Sequence, residues 1–137
     1  SSFWKSYFNT LNNNLKPGGK ALVQTIVIKD CLFARYNYST DFIRQYIFPG
    51  GALPSRSAFK QAAASSGLVL LGEFSFGNDY SSTLMRWLRK YTASSNLLNK
   101  LGFDQKFNRL WEFYLCYCNA GFQIGDLDVI QFKLQKP

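Results

Sequence analysis

Phe3, Trp4, Tyr7, Phe8, Leu11 and Leu15 recur at helical spacing, which predicts a helix from about Ser2 to Leu15. Pro17-Gly18 stops it. Ala21 to Ile28 is almost continuously apolar, and such a run reads as a strand buried on both faces, as in α/β sheets. Cys31 to Ser39 reads as an aromatic loop. Asp41 to Phe48 reads as a short helix ended by Pro49-Gly50-Gly51. Pro54-Ser55 then caps a helix through Phe59, Ala62 and Ala63, stopped by Gly67. Leu68 to Phe76 is a second strand, ended by Gly77. A long helix is predicted from Asp79 to about Lys100, with Asn78 or Asp79 as N-cap, a stripe of Tyr80, Leu84, Trp87, Leu88 and Tyr91, and Gly102 as its stop. Asp104 caps a last helix with a buried stripe of Phe107, Leu110, Trp111, Tyr114, Leu115 and Cys118, and Gly121 is expected to close it in the left-handed conformation. From Leu127 to Leu134, Ile130, Phe132 and Leu134 alternate with Gln131 and Lys133, the period of a strand.

No internal repeat, low-complexity tract or long linker interrupts this order, so residues 1–137 are expected to form one domain. Hydrophobic residues make up 47% and aromatics 18%, the balance of a globular chain. No apolar run approaches the roughly 20 residues that cross a bilayer, and no signal-peptide pattern opens the sequence. The odd cysteine count (Cys31, Cys116 and Cys118) points to a reducing cytoplasm. Cys116 and Cys118 sit about 200° apart on a helix and read as structural rather than metal-binding.

The sequence contains no histidine. That removes Ser-His-Asp and Cys-His nucleophile pairs and His-ligated zinc, and leaves Asp, Glu, Tyr, Lys or a non-protein base for proton chemistry. A net charge of +8 predicts attraction to polyanions. No nucleic-acid motif accompanies it, and the cations (Arg35, Arg44, Arg56, Arg86, Arg89, Lys90, Lys100, Lys106, Arg109) read as a diffuse field suited to anionic lipid.

Gln24 and Ile26, two apart in the second half of a strand, share a face, near the carboxyl end where ligands collect in open α/β sheets. Gln24 either serves a site or hydrogen-bonds a nearby loop. The Asp41–Ser55 segment, dense in aromatics, Pro and Gly, reads as a turn closing the core or as one wall of an acyl-chain channel. Tyr80, in the first turn of its helix, either aims its hydroxyl into a site or is a core tyrosine. Arg109 is the one residue of the last helix suited to an anionic partner.

Several segments carry a resemblance. L-K-P-G-G-x-x-x-x-Q-T-I (Leu15 to Ile26) resembles the start of the fifth strand of S-adenosylmethionine-dependent methyltransferases. The segments D-F-I-x-x-Y-I-F-P-G-G-x-L-P-S (Asp41 to Ser55), F-G-x-x-Y-x-x-T-L-x-x-W (Phe76 to Trp87), F-x-R-x-W-x-x-Y-L (Phe107 to Leu115) and G-F-x-x-x-x-x-D-V-x-Q-F (Gly121 to Phe132) are similar to those of the cyclopropane-fatty-acyl-phospholipid synthase family, mycolic acid cyclopropane synthases included. The resemblance implies an α/β fold: the C-terminal half of a methyltransferase Rossmann-like sheet, about three strands with flanking helices, its first half absent. Gly18-Gly19 and Gly50-Gly51 stop helices and form no G-x-G-x-G turn, so the main elements that bind S-adenosylmethionine are expected to lie outside this chain and the chain alone to be inactive.

In that family the double bond of a phospholipid acyl chain attacks the sulfonium methyl, and the resulting carbocation loses a proton and closes a three-membered ring. Bicarbonate serves as the base. Carried over by position, Gln24, Ile26 and Tyr80 line the bicarbonate site; Gln24 stands where several members have His, and a Cys and a Glu that complete the site match nothing from Ser1 onward. The resemblance further implies peripheral attachment to anionic phospholipid at the inner face of the cytoplasmic membrane, an acyl-chain substrate and no nucleic-acid partner. An uncovered edge on the first strand favours pairing of two copies. Two other readings stand beside it: a C-methyltransferase with another lipid or small-molecule acceptor, and a non-catalytic lipid- or partner-binding domain.

Overall fold

The computed structural model describes residues 2–137. Helix α1 (Ser2–Asn14) turns through Gly18, at φ +74°, into β1 (Lys20–Ile28). Helix α2 (Asp30–Tyr38), a single π-helical turn (Ile43–Ile47) and α3 (Arg56–Ser65) follow. Then come β2 (Val69–Ser75), α4 (Gly77–Ala93), α5 (Ser95–Lys100), α6 (Gln105–Gln123) and β3 (Leu127–Gln135).

The sheet order is β1-β3-β2, with the last strand central and antiparallel to both neighbours. Gln24 lies opposite Gln131, and Ile26 opposite Val129. On the other side of β3, Phe74 faces Gln131 across a register shift between Leu70 and Gly72.

The period-2 pattern of β3 divides the core into two layers. Ile130, Phe132 and Leu134 face α1 and α3, where they pack with Phe8, Val23, Val27, Phe59 and Ala63. Phe59 stacks on Phe132 at 4.0 Å between ring centroids, and Phe8 meets Phe59 edge-on at 4.9 Å. Val129 faces the other way, into Leu84 of α4 and Leu115, Cys118 and Phe122 of α6.

The expectation that β1 is buried on both faces holds only toward its carboxyl end. Ile26 packs beneath α4 and α6, but Leu22 is 64% exposed and Gln24 is exposed, because no described helix covers that half of the face.

Four further departures concern the helices. Cys31 to Ser39 is helical rather than a loop. No residue of α2 is fully buried, and half-buried Leu32, Phe33 and Tyr36 make too short a stripe to read; Asp30 in its first turn suits the helix dipole. The long helix breaks at Ser94, whose Oγ donates back to the Lys90 carbonyl at 2.9 Å, an arrangement that bends helices. It also begins earlier than expected, with Phe76 rather than Asn78 or Asp79 at the N-cap. Gly121 does not close α6. The helix runs on to Gln123, and Gly125, at φ +73°, makes the left-handed reversal. Gly121 is instead a close-approach position, where a Cβ would lie 2.7 Å from Leu127 Cδ1.

Two carboxylates tie these pieces together. Asp30 accepts from the Ser57 amide and hydroxyl at 3.1 and 3.0 Å, linking α2 to the start of α3, where Ser55 caps the helix by accepting from the Ala58 amide. Glu73 on β2 pairs with Arg56 and Lys60 of α3. The Ser55 hydroxyl, ahead of Ser57, holds Asp30 below the ordinary carboxylate range, and the Arg56 guanidinium does the same for Glu73. Depressed acids contribute stability above their unfolded values and lose it as pH falls through the folded ones. The urea midpoint is therefore expected to hold near neutrality and fall as pH drops below about 4; a midpoint unmoved across that range would refute the contribution.

Candidate functional site

The junction of β2 and α4 is fixed by Asp128. Its carboxylate accepts from the Gly77 amide at 2.9 Å and from the Ser75 hydroxyl at 2.6 Å. Helix α4 therefore leaves the sheet at a set angle, with Tyr80 in its first turn. The Tyr80 ring packs on Phe122 at 5.4 Å, on Trp87 at 6.2 Å and on Phe76 at 6.4 Å. Ile26 and Tyr80 pack against the same buried cluster. Gln24 lies two residues back on the Ile26 face, in the open. Its Oε1 accepts from Gln131 Nε2 at 3.0 Å, so its partner is the neighbouring strand rather than a loop. Among the described residues, Gln24 Nε2 and the Tyr80 hydroxyl donate no hydrogen bond.

Helix α6 supplies residues that periodicity assigned to the core alone. Phe48 approaches Tyr114 edge-on at 6.0 Å. Burial pushes the Tyr114 phenol up to about 12, reinforced by the neighbouring Cys118, and pushes the Cys118 thiol up to about 11. Both stay protonated at neutral pH, which makes Cys118 a packing residue and not a nucleophile. The Ser81 hydroxyl donates to Asn119 Oδ1 at 2.6 Å and locks α4 to α6 in the interior.

The Asp41–Ser55 segment lies against the outer side of α6. Phe42 meets Phe113 at 4.6 Å, and Ile43 joins the buried cluster. Arg44 holds the segment together: Nη1 donates to the carbonyls of Tyr36 and Ser39 at 3.0 and 2.9 Å, and the guanidinium lies 5.2 Å from the Tyr36 ring centre. Arg109 is exposed on α6 and forms no ion pair among the described residues.

Two apolar hollows flank α6. One of about 540 Å³, between α4, α5 and α6, is lined by Trp87, Tyr91, Leu97, Leu98, Trp111 and Tyr114. The other, of about 550 Å³, is lined by Phe42, Tyr46, Phe107 and Leu110. Trp87 belongs to the first hollow and also touches Tyr80, so aromatic surface continues from the hollow to the cluster that holds Ile26. Such walls suit an apolar chain, and both hollows are open to the surface, with Trp87 49% and Leu97 58% exposed at the first. No group of three or more His, Cys, Asp or Glu among the described residues is placed to hold a metal ion, and no described helix is long and apolar enough to cross a membrane.

Residues 1–132 match the family model described as mycolic acid cyclopropane synthetase. The chain is 36% identical over 132 residues to the tuberculostearic acid methyltransferase UfaA1 of Mycobacterium tuberculosis, covering 96% of this chain and 31% of that protein. It is 33% identical over 129 residues to the cyclopropane-fatty-acyl-phospholipid synthase of Escherichia coli, covering 93% and 32%. The crystal structure of mycolic acid cyclopropane synthase CmaA1 complexed with SAH and CTAB superposes with a TM-score of 0.87 at 27% identity, over 98% of this chain and 50% of that one. The chain thus spans about a third of the length of these two sequence relatives, and its three strands and flanking helices are the part of the methyltransferase α/β fold that the motifs imply. On the family match and these two relatives, the chain belongs to the mycolic acid cyclopropane synthetase family of methyltransferases, as a C-terminal portion of it.

Proposed function

We propose that this chain forms the acceptor side of an S-adenosylmethionine-dependent enzyme that adds a one-carbon unit to the double bond of an unsaturated phospholipid acyl chain. The observation that carries the reading is the continuous aromatic surface from the hollow between α4, α5 and α6, through Trp87 and Tyr80, to the cluster holding Ile26. An acyl chain in that hollow would rest on apolar side chains, and ring faces beside its double bond would favour developing positive charge.

The described residues do not fit the methyl donor itself. A nucleoside grip needs a free acid beside a Gly-rich turn. Six of the eight acids, Asp30, Asp41, Glu73, Asp104, Asp126 and Asp128, are committed within the fold. The other two, Asp79 and Glu112, lie on helices α4 and α6 with no such turn beside them. A bicarbonate ion fits better. Gln24 Nε2 and the Tyr80 hydroxyl are unengaged donors, the chemistry an anion requires. Bound there, bicarbonate supplies a base to a chain that has no histidine. Gln131 holds the Gln24 amide so that its NH₂ group is left for the ion, and Ile26 keeps the inner side apolar.

The test is methyl transfer to vesicles of unsaturated phospholipid, with lipid products analysed by mass spectrometry. Residues 1–137 alone are expected to give no product; a product from them would overturn the placement of the donor site outside this stretch. In the natural polypeptide carrying these residues, Tyr80→Phe is expected to lower turnover on the order of a hundredfold. Unchanged turnover would remove Tyr80 from the anion site. One sequence relative is named a methyltransferase and the other a cyclopropane synthase, at 36% and 33% identity, so the same product analysis decides between methyl branching and ring closure.

A further inference from the structure

The net positive charge of this chain is unevenly distributed. Six of its sixteen Lys and Arg, and one of its eight acids, fall within residues 86–109, so this stretch carries +5 of the net +8. The acid is Asp104, which is engaged as the N-cap of α6. Arg86, Arg89, Lys90, Lys100, Lys106 and Arg109 make no side-chain hydrogen bond or ion pair among the described residues. Of the ten cations elsewhere, half (Lys29, Arg44, Arg56, Lys60 and Lys136) are engaged.

The same stretch exposes apolar side chains between its charges. Trp87, Leu97 and Leu101 are 49%, 58% and 65% exposed, and Phe103 also faces out. These groups are held in one surface by a polar clamp: the Tyr91 hydroxyl donates to Asn108 Oδ1 at 2.7 Å, and Asn108 Nδ2 donates to Asn99 Oδ1 at 3.3 Å. The clamp joins α4, α5 and the start of α6. Trp87, Lys90 and Leu97 stand at the mouth of the apolar hollow.

We infer that the tip formed by the end of α4, by α5 and by the turn through Leu101–Phe103 docks on an anionic lipid bilayer, with the hollow opening toward the acyl layer. Unpaired cations meet lipid headgroups, and Leu97, Leu101 and Phe103 enter the interface between them. Charge alone would suit any polyanion; the interleaved aliphatic groups select a bilayer. The inference deepens the acyl-chain reading by placing the source of that chain, and it is tested without turnover, so its failure leaves the enzymatic reading standing.

The experiment is flotation of the chain with vesicles of phosphatidylcholine alone or with one third phosphatidylglycerol, at low and high salt. Binding is expected only to the anionic vesicles and to weaken with salt. Each basic side chain at such a surface contributes about fivefold in affinity. Lys90→Glu with Lys100→Glu is therefore expected to weaken binding more than about tenfold, whereas Lys16→Glu with Lys20→Glu, an equal charge change at the opposite end of the sheet, leaves most of it. Leu101→Asp, at a site exposed enough to leave folding intact, is expected to abolish the binding that persists at moderate salt. Equal losses from the two double variants, or equal binding to neutral vesicles, would overturn the assignment. So would tighter binding to heparin with no effect of Leu101→Asp, which would make the tip a general polyanion site.

Discussion

Phe132→Ala is expected to destabilise the chain by about 3–5 kcal/mol, read as a fall in the urea midpoint at constant slope. Phe132 is fully buried on the central strand, lies opposite Val23 on one side and Glu73 on the other, and stacks on Phe59, which in turn meets Phe8. Truncation removes a ring from between the sheet and both helices of that layer. No neighbour can close the gap, since Phe59 is held edge-on by Phe8 and by Trp4. Against the roughly 5–15 kcal/mol of a typical domain, a loss of that size leaves little fold. Phe132→Leu keeps most of the volume and is expected to cost less than about 2 kcal/mol. A loss below about 1 kcal/mol for the alanine variant would mean that this layer does not hold the sheet to α1 and α3.

Gly77→Ala is expected to cost about 2–3 kcal/mol and to displace Tyr80. A Cβ at Gly77 would sit 2.6 Å from Asp128 Oδ1 and 3.1 Å from Asp128 Cα. The second contact is with backbone of the central strand, so a rotamer change cannot relieve it. Either α4 shifts outward or the Gly77 amide loses its carboxylate partner, and both outcomes carry the cost of overpacking or of an unmet buried donor. Gly72→Ala is the control: a Cβ there meets nothing within 4 Å, and the expected change is within about 0.5 kcal/mol. Equal effects at the two glycines would remove the argument that Asp128 seats α4. In an active polypeptide, lost turnover in Gly77→Ala at temperatures where it remains folded would mark Tyr80 placement rather than stability as the cause.

The strands and caps were legible because their signals are local. Ser55 and Asp104 cap α3 and α6 as their positions before apolar runs imply, and the alternation of Ile130, Phe132 and Leu134 shows which way β3 faces. The motifs also led to the right family and to the methyltransferase α/β fold. What remained hidden depends on partners distant in sequence. Helix α2 only half-buries Leu32, Phe33 and Tyr36, too short a stripe to announce it. Gly121 looked like a helix stop until Leu127 was seen folded back against it.

Gln24 finds its partner 107 residues away on a strand that periodicity could not pair with it. Leu22 and Gln24 lie in an apolar run whose composition cannot say whether a second layer covers it. Tyr114 read as core, and only the fold shows its phenol between Phe48, Cys118 and the first hollow.

The central position of β3 bears on how such a polypeptide is made. On a translating ribosome, β2 and the β3-facing edge of β1 emerge without the strand that pairs them here until Leu127–Gln135 appears. Until then the nascent chain exposes Val23, Val27 and the edges that β3 comes to join. Pairings between segments this distant form slowly, and transiently open edges invite capture by other chains. Yield in a cell should consequently depend more on holding chaperones and on slow elongation than the final stability would suggest.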